Sequence, residues 1–183
     1  MERCVSHRPV AGRCVDHKPN DAARWEPREA NRGFELPGDL RQWVEPSTLL
    51  SWVEDEVHKL DWNNSVILEY LQHHPDYRPK SMLSVLCFAY ACEMLGGEEI
   101  VRACRSNEAL RLLAEGAPFE MELRRFRRNN RELLERVLTQ IFLRAAAARF
   151  GFDPHNCPHD LKFDLAVCAQ ERLDIARHID GCD

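Results

Sequence analysis

The segment from Lys80 to Leu95 constrains the fold more than any other part of the chain, because its side chains are apolar on nearly every side of a helix. A helix of that kind usually lies in the centre of a core, covered by other elements. Pro79 suits its first position, since the proline ring holds φ near the helical value, and Gly96-Gly97 predicts its end. The apolar residues are Met82, Leu83, Val85, Leu86, Phe88, Ala89, Tyr90 and Met94.

Helical periodicity continues on both sides of this segment, and no stretch of useful length alternates apolar and polar residues as a half-buried β-strand does. Pro, Gly and Asn residues separate the periodic stretches and mark their ends. We therefore expect an all-α fold, a helical bundle. The further predicted helices span residues 46–60, 66–71, 98–104, 110–113, 120–150 and 161–179.

Composition along the chain predicts three parts. Residues 1–44 are rich in Pro, Gly, Asn and Arg and keep no apolar period, which is typical of a poorly ordered tail. Residues 45–151 carry most of the helical pattern and form the predicted domain. Residues 152–183 read as a linker followed by one C-terminal helix.

Bulk properties favour a cytoplasmic protein without membrane contacts. The N-terminus lacks the apolar region of a signal peptide, and no apolar run reaches the roughly 18 residues of a membrane span. In that compartment disulfides are uncommon, so most of the eight cysteines are expected to be free thiols. Four lie within helical patterns and are expected to act as small core residues: Cys87, Cys92, Cys104 and Cys168.

A short repeat near the N-terminus forms two Cys-x-x-His units, Cys4 with His7 and Cys14 with His17. A thiolate and an imidazole at this spacing can bind one tetrahedral zinc ion. The alternative is a duplicated tail segment without a metal, because the gap between the units is shorter than in common zinc fingers. We expect no metal, and these four residues are the only candidate set.

No motif points to catalysis. The sequence has no Gly-rich phosphate-binding loop, no Gly-x-Ser-x-Gly and no His-Glu-x-x-His. A metal-dependent nuclease would need several carboxylates converging on one or two ions, and no spacing of Asp and Glu indicates such a site. We therefore expect neither an enzymatic activity nor a cofactor.

Positive charge is concentrated in the second half of the chain. Between Arg102 and Arg149 there are eleven Arg and six Glu, whereas the whole chain has a net charge of −5. Five arginines fall in the first three turns of the predicted helix 120–150, at its positive end, where they are unfavourable without an anion nearby. The cluster favours an anionic partner. Its members are Arg124, Arg125, Arg127, Arg128 and Arg131.

Two short predicted helices, then a longer one after a tight turn, form the outline of a helix-turn-helix unit. In such a unit the last helix, the reader helix, enters the major groove, where Arg contacts phosphate or guanine and Asn contacts adenine. Phe126 lies on a different side from the arginines and is expected to anchor the helix. The predicted contacts to double-stranded DNA are Arg124, Arg125, Arg127, Arg128, Asn129, Asn130 and Arg131.

An alternative is a solvated helix face that binds no DNA. Glu132 and Glu135 lie at helical spacing from Arg128 and Arg131 and can form ion pairs with them. In that case the chain is a helical protein-interaction module, in which the last helix pairs with a second copy in a homodimer and the arginines contact an acidic protein.

In the order and spacing of several short motifs, residues 45–150 resemble the N-terminal region of bacterial insertion-sequence transposases. The pattern combines Leu-Asp before one helix, Tyr-x-Pro and Met-Leu-x-x-Leu at the next, and Arg-Phe-Arg on a long helix. The matching residues are Leu60-Asp61, Tyr77-Arg78-Pro79, Met82-Leu83-Ser84-Val85-Leu86, Tyr90, Pro118 and Arg125-Phe126-Arg127.

The resemblance implies binding to the terminal inverted repeats of a mobile element. The chain departs from the family pattern at Gly96-Gly97-Glu98-Glu99, where a Ser-Ser-Arg-like segment is usual, and at Phe119, where Asp is usual. The family's catalytic domain is RNase H-like with an Asp-Asp-Glu metal site, and the sequence beyond residue 150 shows no strands for it. We therefore expect the DNA-binding part of a transposase, or of a truncated one, without the cutting activity.

Overall fold

The computed structural model describes residues 35–62 and 78–181, and within them the fold is all-α, as predicted. These residues form seven α-helices and two 3-10 helices, at Leu40–Gln42 and Pro154–Asn156. They contain no β-strand; one isolated antiparallel bridge joins Asp39 to Cys92. The α-helices are α1 (Pro46–His58), α2 (Pro79–Ala91), α3 (Gly97–Ser106), α4 (Glu108–Ala114), α5 (Glu120–Asn129), α6 (Arg131–Phe150) and α7 (His159–Ile179).

Helix α2 is the centre of the bundle, which confirms the prediction made from its apolar pattern. Every residue from Met82 to Ala91 is buried, and α2 packs against α1, α3, α4, α5 and α6. Phe88 and Tyr90, the largest of these side chains, are 1% and 0% exposed. The helix ends before Leu95, because Glu93 adopts a left-handed φ of 62° that cannot continue an α-helix.

The two longest helices, α6 and α7, pack along each other. Helix α7 contributes apolar side chains to the core that it shares with the other helices, at intervals of three or four residues. This spacing keeps one face of a helix turned inward. The C-terminal helix predicted within 152–183 is therefore an integral part of the bundle. Its buried apolar residues are Leu161, Leu165, Ala169, Leu173 and Ala176.

Residues 35–44 also belong to the packed domain, although the sequence places them in the tail. Leu40 is fully buried in the core. The buried Arg172 of α7 donates hydrogen bonds to the carbonyl oxygens of Pro37 and Tyr90, each at 2.5 Å, and so joins this segment to α2. The rest of the predicted tail, residues 1–34, and the predicted helix 66–71 lie outside the described residues.

The single long helix predicted from residue 120 to 150 is wrong, because the chain forms two helices that meet at Asn130. This residue has φ −124° and ψ 31°, outside the helical region. Its side-chain nitrogen donates to the carbonyl oxygen of Phe126 at 3.0 Å, and its backbone N–H donates to the same oxygen at 2.9 Å. An Asn side chain that bonds to nearby backbone competes with helical pairing, which accounts for the break.

Candidate nucleic-acid interface

The predicted reader helix corresponds to α5, which begins after the tight connection at Ala117-Pro118. The N-cap residue is Phe119, in an extended conformation, and its backbone N–H donates to the carboxylate of Glu122 at 3.0 Å. This bond satisfies one of the N–H groups that a helix start leaves unpaired. Glu120 and Glu122 in the first turn also interact favourably with the positive end of the helix.

One face of α5 is buried against α2 and α3. Leu123 and Phe126 are each 1% exposed, which confirms that Phe126 anchors the helix. Arg127 lies on the same face, one turn after Leu123, and is only 6% exposed. The arginine cluster is therefore divided, with part of it facing the core and part facing solvent.

The carboxylate of Asp180, the residue just after α7, pairs with Arg127, the buried arginine of the cluster. This carboxylate lies 2.7 Å from Nη2 of Arg127 and accepts a hydrogen bond from the backbone N–H of Gly97 at 2.9 Å. Arg127 also donates to the Tyr90 hydroxyl at 3.4 Å. Gly97 permits this close approach, since a Cβ there would lie 3.2 Å from the Asp180 carboxylate. The carboxylate thus connects the ends of three helices, α3, α5 and α7.

The electrostatics of this group keep Arg127 charged and Tyr90 neutral. Burial by itself lowers the pKa of Arg127, but its contacts with Tyr90 and Asp180 outweigh burial and leave the pKa above its ordinary value. Burial raises the pKa of Tyr90 to about 12, despite the opposing influence of the Arg127 charge. The charge of this guanidinium is therefore balanced within the protein by the carboxylate of Asp180.

Two further arginines of the cluster form ion pairs within the fold. Arg124 pairs with Glu120 one turn earlier, and its Nε lies 3.7 Å from the Asp180 carboxylate. Arg131, the first residue of α6, pairs with Asp174 of α7 at 2.8 Å. Much of the positive charge that the sequence places here is therefore compensated within the fold.

The solvent face of α5 carries the remaining two arginines. Arg125 and Arg128 are both exposed, and neither guanidinium forms an ion pair with any residue that the structure describes. Asn129 is exposed beside them, and Met121 lies one turn before Arg125. An open depression of about 570 Å³ borders this face and is lined in part by Met121, Arg125 and Arg128.

The residues predicted to contact DNA differ in their exposure and in the contacts that they make within the protein. Arg127 cannot reach a ligand, because its side chain is 7% exposed and held by Asp180. Asn130 uses its side-chain amide to end α5. Arg131 lies on a different helix from the other four arginines, since it is the first residue of α6. Arg125, Arg128 and Asn129 remain as exposed candidates, with Arg124 at the edge.

Sequence reasoning missed the acidic partners of the arginines. The spacing of Glu120 and Arg124, one helical turn apart, is a local signal for their ion pair. The position of Arg127, one turn after Leu123, is a signal for its burial. Asp174 and Asp180 carry no such signal, because they lie more than forty residues further along the chain.

The described residues contain no candidate metal site. No cluster of three His, Cys, Asp or Glu able to hold a metal ion exists among residues 35–62 and 78–181. Cys4, His7, Cys14 and His17 lie outside these ranges.

The cysteines in the helices behave largely as the sequence indicates. Three of them are buried, as predicted, and burial raises their thiol pKa values, to about 11 in Cys104. Cys168 is only half-buried and lies at the edge of the core. The buried set is Cys87, Cys92 and Cys104.

Comparison of the chain with protein-family models, curated proteins and solved structures finds no match. Within the part of the chain that the structure describes, no helix is both long and apolar enough to span a membrane.

Proposed function

We propose that this domain binds double-stranded DNA through the solvent face of α5. The observation that carries the proposal is that Arg125 and Arg128 are exposed on adjacent turns and form no ion pair with the described residues. Like charges placed this close repel each other unless an anion lies between or beside them. Phosphate groups of DNA supply such anions, and Arg binds them through two parallel hydrogen bonds.

The dimensions of α5 fit the major groove. With its side chains an α-helix is about 10–12 Å in diameter, and the groove of B-DNA is about 12 Å wide and admits an α-helix. Asn129 lies next to Arg128 on the exposed side, and an Asn amide can form two hydrogen bonds with adenine. Contacts from α5 would therefore combine phosphate binding with recognition of a base.

The resemblance to insertion-sequence transposases supports the choice of DNA and suggests the ends of a mobile element as the target. In this proposal the chain binds the element ends and does not cut them. Arg127 and Asp180 would have a positioning role, because they fix α5 against α2 and α3 while Arg125 and Arg128 contact DNA.

The test replaces the two exposed arginines and measures DNA affinity by fluorescence anisotropy. Arg125→Ala/Arg128→Ala is expected to weaken binding to element-end duplexes by at least about thirtyfold, since two arginine contacts of at least roughly 1 kcal/mol each are lost. The matched control is Arg136→Ala/Arg149→Ala, which removes the same charge from exposed positions of α6. Equal affinity of the two double variants would contradict the proposal.

A second candidate function is self-association through α7. Ile175 and Ile179 lie one turn apart on this helix and are 49% and 56% exposed, which is unusual for adjacent isoleucines on a free surface. A homodimer would cover them. Dimerisation in light scattering that Ile175→Glu/Ile179→Glu abolishes, together with no measurable DNA binding, would favour this candidate.

A further inference from the structure

An open cleft of about 540 Å³ lies where the C-terminal end of α1, the middle of α6 and the 3-10 helix at Pro154–Asn156 meet. Cavities that hold small molecules have volumes of roughly 300–1,000 Å³. Helix α6 lines one side of the cleft with Arg136, Gln140 and Arg144, which share a face because they are spaced four residues apart. None of the lining residues belongs to α5.

The deepest part of the cleft is apolar. Val137 and Leu143 of α6 line it and are only 2% and 4% exposed. Leu60, which follows α1, lines it as well and packs against the core. Because these side chains are held by the core around them, they form a fixed apolar surface that can cover the apolar part of a ligand.

The guanidinium of Arg144 is held in place at the edge of this apolar surface. It pairs with Glu56 at 3.2 Å and with Asp55 at 3.1 Å, and it lies 5.2 Å from the centre of the Trp52 ring. The ammonium group of Lys59 lies 2.7 Å from the same carboxylate oxygen of Glu56. The Glu56 carboxylate is therefore shared between two cations and leaves positive charge uncompensated.

The lining as a whole has an excess of positive charge. Lys59, Arg136 and Arg144 are opposed by the carboxylate of Glu56, while Asp55 pairs with Arg144 from outside the lining. Arg136 is exposed and forms no ion pair with the residues that the structure describes. The excess is one charge with Asp55 counted and two without it. A phosphate monoester near neutral pH carries about −1.5 to −2, which compensates such an excess.

We propose that this cleft binds a small organic phosphate, that is, a phosphate monoester with an apolar body. Arg136 and Lys59, the exposed cations, bind the phosphate, since an arginine can donate two parallel hydrogen bonds to it. The apolar body lies against Val137 and Leu143. The amide of Gln140 is half-buried between the two ends, forms no side-chain hydrogen bond with the described residues and is free to donate to the ligand. This binding does not depend on the DNA contacts of α5.

The test measures binding of phenyl phosphate to the full chain by the shifts of backbone amide signals in NMR spectra. We expect a dissociation constant in the millimolar range, as a small ligand in an open cleft gives. Inorganic phosphate has only the charged part of this probe, and benzyl alcohol has only an apolar body. Each is expected to bind at least about tenfold more weakly, because it lacks one set of contacts.

Variants assign the binding to the cleft. Lys59→Gln/Arg136→Gln should weaken phenyl phosphate binding at least about tenfold, since charge-assisted hydrogen bonds are lost. The matched control is Arg105→Gln/Arg111→Gln, which removes the same charge from exposed positions of α3 and α4 and should bind as the wild type does. Gln140→Trp keeps every charge and fills the cleft with a larger side chain, so it should abolish binding. Circular dichroism checks the fold of each variant.

Four results would overturn the inference. The first is the absence of binding to phenyl phosphate, and the second is equal affinity of the two charge variants. The third is inorganic phosphate that binds as tightly as phenyl phosphate, because the apolar surface would then contribute nothing. The fourth is a loss of DNA affinity in Gln140→Trp, since the cleft would then belong to a surface that binds nucleic acid.

Discussion

Asp180 is the residue on which the position of α5 depends most directly. Its side chain is 3% exposed and faces the guanidinium of Arg127 and the N–H of Gly97, at the first turn of α3. A buried ion pair of this kind contributes little by comparison with a well-packed apolar pair, but removing one partner leaves an uncompensated buried charge. The pair therefore matters for the placement of helices more than for net stability.

We predict that Asp180→Ala lowers the free energy of unfolding by about 3–5 kcal/mol, because Arg127 is left buried without its counter-ion. Chemical denaturation monitored by circular dichroism measures the change. The matched control is Asp174→Ala, which removes an exposed carboxylate paired with Arg131 and should cost at most about 1 kcal/mol. Similar losses in the two variants would show that the Asp180 contact is not the buried pair described above.

Ionisation of Tyr90 at high pH tests the burial of the cluster that Tyr90 forms with Arg127 and Asp180. Its pKa in the folded protein is raised to about 12, mainly by burial, above an ordinary value near 10. The neutral phenol therefore stabilises the fold fully below about pH 10, and this contribution is lost as the pH rises towards 12. Ultraviolet titration should show one tyrosinate forming near pH 12 that is missing in Tyr90→Phe. Its formation near pH 10 in the folded protein would contradict the buried position.

At the scale of elements, the sequence predicts helices better than it predicts their ends. Apolar periodicity identifies α2 as the central helix because burial on all sides requires apolar residues at all positions. Apolar periodicity does not predict the break at Asn130, since the buried apolar residues continue from Phe126 to Leu134 across it. The break depends on one side-chain hydrogen bond, which periodicity does not register.

The sequence likewise predicts only part of the candidate site. Exposure of Arg125 and Arg128 and burial of Phe126 follow from their places on one helix, so the sequence can predict them. The pairing of Arg131 with Asp174 requires α7 to pack along α6, and the pairing of Arg127 with Asp180 requires the C-terminal end of α7 to meet α5. Such contacts depend on tertiary structure, and the sequence alone therefore overestimates how many arginines are available to a ligand.

At the scale of the whole molecule, positive charge is local and partly compensated. The chain has a net charge of −5, and helix α7 with its C-cap supplies the carboxylates that pair with Arg127 and Arg131. A general attraction to nucleic acid is therefore not expected. Binding should depend on the small exposed face of α5, and its electrostatic component should be correspondingly small.

The most direct test of DNA binding by this face is the salt dependence of affinity. Each phosphate neutralised on B-DNA contributes roughly −0.9 to the slope of the logarithm of the binding constant against the logarithm of salt concentration. Contacts from Arg125 and Arg128 alone predict a slope of about −2, which should fall towards zero in Arg125→Ala/Arg128→Ala. A slope near −4.5, as expected if all five arginines bound phosphate, or a slope unchanged in the variant, would contradict the account.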